Sequence, residues 1–82
     1  MKVYLYPNPA VDELNLKITA AKTQTVNATL YNLLHEPVLS DKFVVDSGTQ
    51  QRTIPVSNVS PGIYIFSIQT EEQRAVIKIN IQ

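Results

Sequence analysis

His35 is the single histidine of this 82-residue chain, so any triad-type nucleophilic centre would have to be built on it. Such a centre needs a serine held on a sharp glycine-flanked turn. No G-x-S-x-G stretch occurs, and only two glycines are present. His35 therefore reads as a surface turn residue. Metal binding fails on similar grounds. One histidine and no cysteine leave only carboxylates. Asp41 and Asp46 lack the spacing of a calcium loop and read as solvated charges. Glu71 and Glu72 are adjacent in a polar stretch, where paired acids imply no acid–base work. Two N-x-S/T sequons, at Asn27 and Asn58, fall in a strand-like run and before Pro61, so neither is read as a modification site. No catalytic residue, metal or cofactor is expected. The chain reads as a binding, structural or signalling module.

The bulk properties narrow the class. Eighty-two residues make one domain, spanning 1–82. A core this small leaves no space beside it for a cofactor-sized cavity. Seven basic residues balance seven acidic ones, which removes the electrostatic footprint of a nucleic-acid binder. The longest apolar runs, Val3–Tyr6 and Ile63–Phe66, have four residues each. A membrane-spanning helix needs about 20, so no membrane insertion is expected. Met1-Lys2 leads straight into a strand pattern. A leader for export would lie elsewhere, in a longer parent chain.

The elements that must carry any function have a period of two. Lys2–Tyr6 is a short β-rich run stopped by Pro7-Asn8-Pro9, since proline removes a donor and fixes φ. Pro9 also biases Asn8 towards extended geometry. In Glu13–Thr19, Leu14, Leu16 and Ile18 share one face. Ala20–Thr25 is a turn. Val26, Ala28 and Leu30 form the next apolar face, and Leu33–Pro37 interrupts it. Val38–Val45 alternates imperfectly, which marks an edge strand or a bulge. Asp46-Ser47-Gly48 is a turn. Gln51–Val56 contains Pro55, which also makes it an edge or short strand. Ile63–Gln69 points Tyr64, Phe66 and Ile68 inward. After a charged turn at Thr70–Gln73, the last strand runs from Ala75 to Gln82, with Ala75, Ile77, Ile79 and Ile81 towards the core. The sum is an all-β fold, a small seven-stranded antiparallel immunoglobulin-like β-sandwich, with a barrel as the alternative. Tyr64, just past the corner Pro61-Gly62, matches the tyrosine such sandwiches bond back to the upstream backbone.

Four blocks in order carry a resemblance. Tyr6-Pro7-Asn8-Pro9-Ala10 is followed by Asp12 and Leu14. The second block is Thr29-Leu30-Tyr31-Asn32-Leu33. The third runs from Ile54 through Pro61-Gly62-Ile63-Tyr64, and the fourth is Ala75–Gln82. From about Val3 to the end the chain resembles the type A C-terminal sorting domain of the type IX secretion system. It departs from that pattern at His35-Glu36, where the family has glycine and then a basic residue. The turn there is expected to be built as a wider loop.

The resemblance implies a non-catalytic address label behind an N-terminal cargo domain. It implies excision of this segment from a larger exported protein of a Gram-negative bacterium. Its partners would be the outer-membrane translocon and a sortase-like surface peptidase. Its location would be the cell surface or the medium, reached through the periplasm and outer membrane. Recognition is expected on the last strand, at Lys78, Asn80, Ile81 and Gln82. A glycan-binding or adhesion sandwich is the alternative; it would use Tyr4, Tyr6 and Tyr31, the aromatics left for a surface once Tyr64, Phe66 and Phe43 are placed inside.

Overall fold

Strand follows strand through the whole chain in the computed structural model, which describes residues 1–7 and 9–82. In order these are β1 (Lys2–Tyr6), β2 (Glu13–Ala20), β3 (Gln24–Tyr31), β4 (Pro37–Val45), β5 (Gly48–Pro55), β6 (Gly62–Gln69) and β7 (Arg74–Ile81). The period-two reading finds every one of them. Its largest boundary error is β5, which begins at Gly48 rather than Gln51. The polar run Gly48-Thr49-Gln50 has no apolar alternation to betray it, yet it pairs with Ile18, Thr19 and Ala20 of β2.

The strands form two sheets, ordered β1-β2-β5 and β4-β3-β6-β7, with antiparallel pairing throughout. Lettered A to G, they read A-B-E and D-C-F-G. This is the immunoglobulin scheme with the fourth strand moved beside the third. The two proline- or bulge-marked runs are edges, as their sequences require. β4 flanks β3 with a register shift at Leu30/Tyr31, and β5 ends its own sheet. Asn8 and the extended geometry expected of it lie outside the described residues.

Leu14, Leu16, Ile18, Val26, Leu30, Phe66, Ile68, Ile79 and Ile81 fill the space between the sheets, each at most 2% exposed. Burying each large aliphatic side chain contributes about 1.5–3 kcal/mol. The open side between edge strands β4 and β5 is crossed by Arg52. Its Nε donates to Asp41 Oδ2 at 2.8 Å, and its guanidinium lies 4.4 Å from the centre of the Phe43 ring.

Two corners set the entry and exit of the elements. Tyr64, 8% exposed, donates from Oη to the carbonyl of Ser60 at 2.5 Å, tying the start of β6 to the chain before it. The β3–β4 hairpin keeps a tight turn without glycine, against the wider loop its sequence suggests. His35 adopts φ of 63°. Its N–H donates to the Asn32 carbonyl, and the Asn32 N–H to the Glu36 carbonyl, each at 3.0 Å. This is a three-residue hairpin loop whose last residue is left-handed. Asn32 holds it. Its Oδ1 accepts from the N–H groups of Leu34 and Glu36, at 2.9 and 3.0 Å, and its Nδ2 donates to Glu36 Oε1.

Candidate recognition surface

The last strand, β7, is an edge strand, paired on one side with β6. Its alternation splits it. Ile79 and Ile81 are 1% exposed and face the core. Lys78 and Gln82 are exposed, and Asn80 is half-buried. Of the four residues expected to be read by a receptor, Ile81 therefore has its side chain withdrawn from solvent and acts by packing. Ala75 and Ile77, expected in the core, are only half-buried. They lie on the part of the edge that has no strand beside it, so water reaches their flank.

The other end of β7 does have a neighbour. Ala10 forms a parallel bridge with Ile81. Its N–H donates to the Asn80 carbonyl at 2.8 Å, and its carbonyl accepts from the Gln82 N–H at 2.7 Å. Ala10 is fully buried. The chain leaves the three-stranded sheet after Tyr6 and joins the edge of the other sheet four residues later. Pro7 ends the first pairing because it cannot donate, and the bend is a switch between sheets. Asp12 then fixes the return into β2, its carbonyl accepting from the Val56 N–H at 2.9 Å.

The outer face of the four-stranded sheet follows from register. Leu30, Phe66 and Ile77 form one cross-strand row on the inner side. The next row, Tyr31–Ile65–Lys78, therefore points outward. So does the row Lys42–Asn27–Gln69–Arg74, which crosses all four strands. Arg74 Nε donates to Ser67 Oγ at 3.3 Å, placing its side chain over the sheet. Sequence reading singled out Lys78 alone. Lys42 and Arg74 share its face through pairings that no local pattern displays.

The remaining motif residues sit at different depths. Leu14 is fully buried. Tyr6 is exposed, and its Oη accepts from Gln51 Nε2 at 2.6 Å. Pro7, Pro9 and Pro61 are exposed and Tyr31 is half-buried. Gly62 takes φ of 156°, a backbone region that glycine alone enters easily. Asn8 falls outside the described residues.

The residues first considered for chemistry stand apart. His35 is at the hairpin tip, Asp41 pairs with Arg52, and Asp46, Glu71 and Glu72 are exposed in turns. Among the described residues no three histidines or acids converge on a common point. Glu72 accepts from Lys22 Nζ, joining the β2–β3 and β6–β7 turns. That hydrogen bond, with the attraction between the charges, holds the Glu72 carboxyl below its ordinary value and lifts Lys22 above its own. Both groups are fully solvated, so this pair is a surface tether rather than a site.

A family model described as a secretion system C-terminal sorting domain matches residues 4–82. No curated protein matches the chain. Domains of this family are sorting signals for type IX secretion, and they mark proteins sent through the outer membrane to the surface or the medium. The chain, with its proline-bounded head paired to its last strand, belongs to the family of type IX secretion system C-terminal sorting domains.

Proposed function

We propose that residues 1–82 form one sorting unit at the end of a larger exported protein, read in its folded state on β7. Lys78 is the charge that is read, with Asn80 and Gln82 beside it and Ile81 anchoring the strand from below. A sortase-like surface peptidase then separates the domain from its cargo. The domain performs no reaction itself. The observation that carries this reading is the division of one edge strand into a buried set, Ile79 and Ile81, and an exposed Lys78. Such a strand is held firmly while it presents a charge.

The test fuses the domain to a reporter in a bacterium with a type IX system. Deleting Lys78–Gln82 removes two core isoleucines and disrupts the fold, so Lys78→Glu is the deciding variant. It is expected to melt like the parent chain and to be exported less. Export at the parental level overturns the role of Lys78. Released reporter that still carries the domain, by mass spectrometry, overturns the peptidase step.

A second reading, glycan binding, is favoured by one observation. Tyr4 and Tyr6, 55% and 41% exposed, share the outer face of the three-stranded sheet. A glycan array probed with the domain and with Tyr4→Ala decides it. Binding that this change abolishes would support the second reading.

A further inference from the structure

We infer that the outer face of the four-stranded sheet is a docking surface for an acidic protein partner of the export machinery. The inference rests on the sorting reading and names the chemistry of what reads the domain. The chain as a whole is neutral, with seven charges of each sign. This face is not. Its register places Lys42, Arg74 and Lys78 on it and no acidic strand residue; Glu71 of the β6–β7 turn lines a hollow with Lys42 at its margin. Most acids are elsewhere. Asp12 and Glu13 lie at the entry to β2. Glu36 is in a hairpin, and Asp46, Glu71 and Glu72 are in turns. Asp41 lies on the inner side of β4, opposite Ala28, where Arg52 holds it. The outer face of the other sheet mixes signs, with Lys2 and Lys17 beside Glu13.

The three cations have no carboxylate within ion-pair distance among the described residues, since the two ion pairs there are Lys22–Glu72 and Arg52–Asp41. Between them lie Asn27, Gln69, Thr29 and Ser67, with Val76 between Arg74 and Lys78 on the edge strand, while Val44 and Ile63 lie beyond Lys42 and Lys78. Val44 and Val76 are 62% and 54% exposed, and Ile63 is 37% exposed. Three cations on a face of hydroxyls, amides and exposed valines suit a protein surface that carries carboxylates among polar and apolar groups. A lipid surface suits it less. Ser40 and Thr29 stand in the row that crosses the middle of the face, and hydroxyls lose hydrogen bonds with water on entering acyl chains. Three cations alone hold a domain to an anionic membrane only weakly.

The experiment uses the reporter fusion in the type IX host. It compares the parent, the triple reversal Lys42→Glu/Arg74→Glu/Lys78→Glu, and a control, Lys2→Glu/Lys17→Glu, on the opposite sheet. A photo-cross-linking residue is placed at position 76 of the parent. Export of the triple variant is expected to fall at least about tenfold, with the control unchanged and both folded by circular dichroism. The cross-link is expected on a peptide rich in Asp and Glu. It reads the unaltered charges, so it decides the matter if the triple variant does not fold.

Full export of a folded triple variant overturns the docking face and the role of Lys78 with it, while export of the parent keeps the chain a sorting domain. A cross-link to a peptide without acids overturns it as well. So does charge-dependent co-sedimentation of the domain with vesicles of equal parts phosphatidylglycerol and phosphatidylethanolamine, together with no protein adduct. A parent fusion that stays inside the cell overturns the sorting reading, and this inference falls with it.

Discussion

Ala10 is the lateral partner of Ile81: two backbone hydrogen bonds join the opening motif to the last strand, and both side chains are sealed in the core. The proline corner thus does more than stop a strand. It carries a small residue across from one sheet to the other. Ala10→Leu forces extra volume into a filled position and is expected to cost about 1–3 kcal/mol. Ile81→Ala leaves a cavity and should cost about 2–5 kcal/mol. Urea denaturation of the isolated domain measures both. A domain of this size holds only about 4–12 kcal/mol in total, so the second change should leave it close to unfolding.

Tyr64→Phe removes one hydroxyl and leaves the ring in place. The Ser60 carbonyl loses its donor, and net stability should fall by about 0.5–1.5 kcal/mol. A thermal melt should show this as a drop of several degrees. An unchanged melt would mean that water replaces the hydroxyl at no cost.

Two backbone positions should respond in opposite directions. His35 sits at φ of 63°, so His35→Gly relieves the left-handed strain and is expected to stabilise by about 1 kcal/mol. Gly62→Ala should destabilise by about 1–3 kcal/mol. The cause there is the backbone rather than crowding, because an added Cβ would meet Tyr64 Cε2 at an ordinary 3.6 Å. Paired melts of the two variants test the contrast.

The Lys22–Glu72 tether should be visible in titration rather than in stability. Glu72 is depressed by its bond to Lys22, so its contribution is present above the unfolded-state value and lost as pH falls through the lower folded one. Lys22 is raised, so its contribution is lost only as pH climbs through its elevated value. Across neutral pH the pair is constant. Carbon-detected NMR of Glu72 should show its pKa move up in Lys22→Ala, and move part of the way up in high salt.

Much of this fold is legible in alternation. Leu14, Leu16 and Ile18 point one way because the strand is half-buried, and Pro55 marks an edge because it cannot donate to a neighbour. Tyr64 is legible because a corner of Pro and Gly precedes it. What is missed depends on partners far along the chain. Nothing near Ala10 announces Ile81, and nothing near Lys42 announces Arg74, since register between distant strands leaves no local trace. Ala75 and Ile77 mislead because alternation tells which face a residue takes, not whether that stretch has a lateral neighbour. His35 misleads because glycine is the usual residue at a left-handed position, and here Asn32 holds the turn without it.

The bond between head and tail also has a consequence in time. Chains are synthesised at roughly 5–20 residues per second, so several seconds separate the making of residue 10 from that of residue 81. For most of that interval Leu14, Leu16 and Val26 exist without the strand that completes their shelter. Folds dominated by such distant pairings also close slowly once the chain is whole. The apolar faces of the early strands therefore stay uncovered in the nascent chain for longer than a hairpin-local partner would leave them.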